Sequence, residues 1–188
     1  MRGSGDTGRE GRAAHRDQEG FRPGDRGSGR ITVVGLGPGA KEQMTLAVAD
    51  ALKTVETVVG YRTYLDLVPP EMLAGKAVVG TGMTRELERA QAAIDRALAG
   101  EAVAVVSSGD AGVYGMAGLV LDCVEARGLS ETVPVEVLPG VPALAAAAAL
   151  LGAPLMHDFA CVSLSDLLTP WETIETRLYA AAQADFVL

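Results

Sequence analysis

The sequence predicts an α/β protein, a mostly parallel sheet flanked by helices, and three observations carry that prediction. Short β-branched apolar runs alternate with longer segments whose apolar residues recur at helical spacing. The run Ala102 to Val106 (AVAVV) is apolar on both faces, as a central strand covered on each side by helices must be. The conspicuous glycine loops follow strands, which is where a parallel sheet turns its chain back.

The elements follow in order. Ile31 to Val34 reads as a strand that runs into glycines, and Thr45 to Val55 as a helix behind a threonine able to cap it. Thr57 to Val59 and Ala77 to Val79 read as short strands. Thr84 to Ala99 reads as an amphipathic helix with Arg85, Glu86, Glu88, Arg89, Asp95 and Arg96 outward. After the central run come a helix from about Met116 to Ala126 ended by Gly128, a strand Val133 to Leu138, and an Ala-rich helix near 143–151 expected to pack closely on the sheet. A further cycle, Cys161 to Leu164 as strand, Pro170 to Ala182 as helix and Phe186 to Leu188 as strand, reads as only the start of a second α/β domain. A chain that stops inside an apolar strand leaves its ladder groups without partners, so the expectation is a fragment of a longer protein.

Composition narrows the function classes. Of 188 residues 48% are hydrophobic, enough to build a core. The net charge of −8 excludes the basic footprint of a nucleic-acid binder. Charge is unevenly placed: residues 1–30 carry seven arginines and five acids in a Gly-rich stretch almost free of aliphatic residues, which predicts a disordered tail containing His15. That stretch lacks the apolar centre of a secretory signal. The uncharged run from Val137 to Met156 is broken by Pro139, Gly140, Pro142, Gly152 and Pro154, which excludes a membrane span. Cys123 and Cys161 fit neither a disulfide framework nor a zinc pattern; both read as buried, inert thiols, and a reducing, cytoplasmic setting follows. The domain division is therefore 1–30 tail, 31–154 main domain, and 155–188 the beginning of another.

The loops bear the functional signal. Gly35-Leu36-Gly37-Pro38-Gly39-Ala40 formally matches GxGxxG/A, which keeps a nucleotide-dependent oxidoreductase open. Against it, the second strand ends in Val59-Gly60-Tyr61 with no acid for the ribose hydroxyls. The second loop runs Ser107-Ser108-Gly109-Asp110-Ala111-Gly112-Val113-Tyr114-Gly115-Met116, where Asp110 either caps the next helix or faces a ligand. A third bend, Pro139-Gly140-Val141-Pro142-Ala143, follows the next strand. Ligands of open α/β sheets sit beyond the carboxyl ends of the strands, so the three bends specify one rim.

Together GLGPG at 35–39 with Met44-Thr45, SSGDAGVYGMA at 107–117 and PGVPA at 139–143 resemble the tetrapyrrole methyltransferases that use S-adenosylmethionine, over residues 31–188. Gly60-Tyr61-Arg62-Thr63-Tyr64, the stretch 152–159 (GAPLMHDF) and 163–171 (SLSDLLTPW) are similar to the branch acting at C17 of precorrin-3B or cobalt-factor III. The resemblance implies a two-domain enzyme of cobalamin biosynthesis, methylating C17 with ring contraction, with the cofactor in the cleft between domains and a homodimer when full length. By matching positions it places Pro38, Ser108, Gly109, Asp110, Val113, Pro142 and Ala143 at the cofactor. Ala40 stands where many members carry Asp, so no carboxylate role falls there.

Methyl transfer from a sulfonium needs alignment and no protein nucleophile. Ring contraction calls for acid or base help, for which His157 and Asp158 are the candidates. Tyr61, Tyr64 and Met116, with Tyr114, are the candidates to face a flat macrocycle, against a packing role for the aromatics; Trp171 reads as an anchor for the helix after Pro170. Arg62, Arg85 or Arg89 would receive substrate carboxylates. No metal site is expected. A non-catalytic remnant that only self-associates is the other alternative, and weak or undetectable cofactor affinity is expected of residues 1–188 alone.

Overall fold

The computed structural model describes residues 29–188. Strands β1 (Arg30–Gly35), β2 (Thr57–Tyr61), β3 (Ala77–Thr81), β4 (Ala102–Ser107) and β5 (Val135–Leu138) form one sheet in the order β3-β2-β4-β1-β5, and every pairing is parallel. The run apolar on both faces is the middle strand, buried at all six positions. The helices are α1 (Leu46–Thr54), the short α2 (Arg62–Leu65) and α3 (Pro70–Leu73), α4 (Glu86–Leu98), α5 (Ala117–Ala126), α6 (Ala143–Leu150) and α7 (Trp171–Gln183). The expected tail and His15 lie outside the described residues, except that Arg30 already opens β1.

Period-two alternation in the strands makes two cores, one on each face of the sheet. On one face Ile31, Val33, Val103 and Val105 pack with Ile94 of α4 and Val120 and Val124 of α5. On the other, Val34, Ala104 and Val106 pack with Val48 and Leu52 of α1 and Leu65 of α2. Thr45 caps α1 as its position predicts, its hydroxyl accepting the Val48 N–H at 3.3 Å. Among the described residues no helix is long and apolar enough to cross a membrane.

Five expectations about these elements fail. Thr84 stands outside α4 with φ of 61°, and the helix begins two residues later at Glu86. Arg89 does not face outward: it is 3% exposed. The period explains this, because Arg89 shares its helix face with the buried alanines Ala93 and Ala97, four and eight residues on. The Ala-rich α6 is not packed closely on the sheet; only Ala148 of its residues is buried, and Leu150 is 89% exposed. The stretches 161–164 and 186–188 form no strands. One parallel bridge, Phe159 to Val187, is what the chain makes there, since neither segment finds a sheet neighbour for a continuous ladder. Trp171, the first residue of α7, is 47% exposed, while Ile174 and Ala181 supply that helix's buried contacts.

Candidate functional site

Because β4, β1 and β5 are adjacent and parallel, their carboxyl ends deliver three loops to one edge of the sheet. The first and second loops are joined by backbone: Leu36 N–H donates to the Ser107 carbonyl at 2.8 Å, and Gly37 and Gly109 exchange bonds of 3.0 and 2.8 Å. Asp110 ties in the third. One of its carboxylate oxygens accepts the Gly112 and Val113 N–H groups at 2.8 and 3.0 Å, and the other accepts the Gly140 N–H at 3.0 Å. Asp110 therefore does not cap α5, which starts seven residues later at Ala117; it holds a loop and clamps it to its neighbour. Thr45, besides capping α1, donates its hydroxyl to the Pro139 carbonyl at 3.4 Å.

This close meeting is possible only without side chains. A Cβ on Gly35 would lie 2.6 Å from the Gly109 carbonyl oxygen and 2.7 Å from the Gly140 nitrogen, and one on Gly140 would collide with the carbonyls of Gly109 and Gly35. Gly109 adds a left-handed conformation, φ 61°, that L side chains rarely adopt.

A cavity of about 400 Å³ opens beside this junction. Small-molecule sites fall in the same size range. Ser108, Gly109, Asp110, Val113, Pro142 and Ala143 all line it, as do Tyr64 and Met116. Pro38 does not: it is exposed on the first loop. Tyr61 stands behind the wall, edge-on to Tyr64 with ring centroids 5.1 Å apart. His157 and Asp158 are exposed and outside the cavity lining; the Asp158 carbonyl accepts the Val187 N–H at 3.1 Å.

The walls also contain residues that the sequence reading did not single out for a ligand or placed otherwise. Arg89 enters from α4, with Glu86 one turn before it. Leu144 of α6 and Leu119 of α5 add apolar surface. Cys161 is exposed at the wall and not buried, and Cys123 is half-buried. Tyr114, with φ of 53°, reaches over to the 160s segment, its hydroxyl donating to the Cys161 carbonyl at 2.8 Å. Partial loss of solvent, and next the Cys161 thiol beside it, hold the Tyr114 phenol above its ordinary value near 10. Ser107 is buried, its Oγ accepting the Met116 N–H at 3.1 Å, which fixes the start of α5 against β4.

The arrangement does not suit a dinucleotide. In that fold the glycine loop leads directly into a helix whose N-terminus meets the pyrophosphate. Here β1 ends at Gly35, a short 3₁₀ turn intervenes at Lys41–Gln43, and α1 starts only at Leu46. The strand order also departs from the dinucleotide order, because β4 lies between β1 and β2.

Comparison with known proteins gives the following. Residues 30–188 match the family described as Tetrapyrrole (Corrin/Porphyrin) Methylases. The chain is 56% identical over 158 residues to the probable cobalt-factor III C(17)-methyltransferase of Salmonella typhimurium, covering 84% of this chain and 64% of that one. The crystal structure of the methyltransferase CobJ superposes with a TM-score of 0.80 at 43% identity, over 85% of this chain and 66% of that one. A uroporphyrin-III C-methyl transferase from Thermus thermophilus, complexed with S-adenyl homocysteine, superposes with a TM-score of 0.52 at 34% identity, covering 69% of this chain and 50% of that one. The chain thus spans between half and two thirds of the length of these relatives.

Proposed function

Since the chain belongs to the tetrapyrrole (corrin/porphyrin) methylase family, we propose that it is an S-adenosylmethionine-dependent methyltransferase acting at C17 of cobalt-factor III or precorrin-3B in cobalamin biosynthesis. The observation that carries the reading is the junction of three glycine loops around a cavity, in a chain that is 56% identical over 158 residues to a probable C17-methyltransferase. On this reading its compartment is the cytoplasm, and the complete enzyme is a homodimer.

The cavity residues fit the cofactor. Glycine at 35, 109 and 140 brings backbone where side chains would otherwise stand, and Val113, Leu119 and Leu144 give apolar surface for an adenine ring. The Ser108 hydroxyl, which has no protein partner among the described residues, is free to bond a polar group. S-adenosylmethionine, when bound, would supply an electrophilic methyl for a nucleophilic ring carbon. The chain's part is alignment. Ser108 to Val113 and Pro142-Ala143 would hold the cofactor, while Pro38 stands outside the cavity lining. Asp110 keeps the second and third loops in register, so its carboxylate acts on position and not on the reacting atoms. Tyr64 and Met116 offer flat or polarizable surface to the macrocycle. His157 and Asp158 remain the proposal's acid and base candidates, and they reach a macrocycle only if it extends beyond the cavity wall.

Val113 and Tyr114 are exposed, so the cavity is open on that side. The expected affinity for S-adenosylhomocysteine is accordingly weak, roughly 0.1–1 mM. Titration calorimetry at high protein concentration, run in parallel with NADH, tests the reading. Heat with S-adenosylhomocysteine and none with NADH supports it; the reverse pattern returns the protein to the oxidoreductases. Transfer of labelled methyl to cobalt-factor III tests the activity itself.

A further inference from the structure

Arg89 is a cation removed from water with no anion beside it. Its side chain is 3% exposed, and among the described residues no carboxylate lies within ion-pair distance. Its partners are neutral: Nε donates to Thr81 Oγ1 at 2.9 Å, Nη2 to the Gly82 carbonyl at 3.1 Å, and Nη1 to Met116 Sδ at 3.4 Å. The Tyr61 ring lies under the guanidinium, its centroid 5.9 Å away. Buried charges are ordinarily paired, because leaving one unpaired in a low-dielectric wall is costly.

The other arginines near the helical face are different. Arg85 pairs with Glu88, Arg96 with Glu101 and Arg127 with Asp95. Three of the five N–H donors of Arg89 are engaged, one of them by a thioether, which is a weak acceptor. The two terminal nitrogens therefore retain donors for a planar, bidentate anion in the cavity that Arg89 lines. The backing by Thr81, Gly82 and Tyr61 holds the fork in place before any ligand arrives.

We infer that Arg89 receives a peripheral carboxylate of the tetrapyrrole and thereby orients the macrocycle in the cavity. The inference rests on the proposed function for the identity of the ligand. A carboxylate could also come from the methionine part of the cofactor, but topology favours the macrocycle. Arg89 is anchored where β3 ends, at Thr81 and Gly82, while the glycine junction lies beyond β4, β1 and β5, on the other side of the sheet order. An acidic protein can bind a polycarboxylate because Arg89 is the cation of a wall whose two carboxylates are Glu86 and Asp110, the latter already accepting three backbone N–H bonds.

The test is a set of fluorescence and calorimetric titrations on the whole chain, with uroporphyrin III, its fully amidated form, and S-adenosylhomocysteine. For the wild type, amidation should weaken binding about tenfold or more. Arg89→Met should lower uroporphyrin affinity about tenfold and leave S-adenosylhomocysteine within about twofold, with Arg89→Lys between, because an ammonium keeps the charge but not the fork. Glu86→Gln should raise uroporphyrin affinity about two- to threefold by removing a like charge from the same wall. Equal uroporphyrin binding by wild type and Arg89→Met overturns the inference. So does loss of S-adenosylhomocysteine affinity in that variant, which would assign Arg89 to the cofactor's carboxylate. If Arg89→Met does not fold, indifference of the wild type to amidation, or of uroporphyrin affinity to Glu86→Gln, overturns it instead. Absence of S-adenosylhomocysteine binding with the carboxylate effects intact breaks the proposed function alone; absence of uroporphyrin binding by the wild type breaks the inference.

Discussion

At the amino ends of the strands charged side chains close the sheet, whereas at the carboxyl ends glycine backbone does. At the amino edge the Glu56 carboxylate accepts the Ala102 N–H at 2.9 Å, Glu101 takes the Thr57 hydroxyl and Arg96, and Lys76 donates to the Val55 carbonyl at 2.6 Å. Each group there satisfies another group of the same chain. The carboxyl edge has Asp110 as its main side-chain clamp, and the rest of its junction is backbone meeting backbone at Gly35, Gly37, Gly109 and Gly140. Removing side-chain volume there leaves a concavity, and the wall keeps spare donor capacity in Arg89, whose terminal nitrogens each make one bond, and in Ser108. The amino edge spends its polar groups on the fold, while the carboxyl edge holds some back for a ligand.

Substitutions should separate the two edges. Gly140→Ala places a methyl against two carbonyls that belong to the backbone and cannot swing away. It should cost about 2–3 kcal/mol in urea unfolding and abolish S-adenosylhomocysteine binding. Unchanged stability would mean that the third loop moves freely and that the junction is not fixed. Asp110→Ala strands three N–H groups and should cost about 1–3 kcal/mol with a clear loss of cofactor affinity, and Asp110→Asn should fall between it and the wild type.

Glu101→Gln should behave in the opposite sense, costing about 1 kcal/mol at neutral pH with cofactor affinity unchanged. The Thr57 hydroxyl first, and then Arg96, hold the Glu101 carboxyl below its ordinary value near 4.5. A depressed folded-state value means that its stabilisation is complete above the unfolded-state value and is lost as pH falls through the folded one. The stability gap between wild type and Glu101→Gln should therefore be full at neutral pH and close in the acid range below 4.5. A gap independent of pH would contradict the clamp. The smallest effect belongs to Tyr114→Phe, which removes one exposed hydrogen bond to the Cys161 carbonyl. Global stability should change by no more than about 0.5 kcal/mol, while limited proteolysis within 157–168 should accelerate.

How far the sequence discloses this differs between regions for physical reasons. The central strand is legible because a run apolar on both faces has few other uses, and the converging loops are legible because glycines, prolines and parallel strands fix where turns must lie. Arg89 is misplaced when charge alone decides its side of the helix. The helical period puts it in line with Ala93 and Ala97, against the cost of burying a guanidinium. The failure is informative, since a residue that defies its own desolvation is where a ligand's charge is expected. Asp110 reads as a cap or a ligand contact and not as a clamp, because its bond to the Gly140 N–H spans 30 residues and no local pattern records that contact. The segment from Cys161 to Leu164 has the composition of a strand, but strand formation needs a neighbour, and Val187 makes a single isolated bridge, at Phe159.

The most direct test of the two-edge account is a backbone amide NMR titration of the chain with S-adenosylhomocysteine, a measurement sensitive to weak binding. The account predicts saturable shifts concentrated at Gly109, Gly112, Val113, Gly140 and Ala143, with Thr57, Ala77 and Ala102 unmoved. Shifts centred on the amino edge, or none at any amide with millimolar ligand, would contradict it.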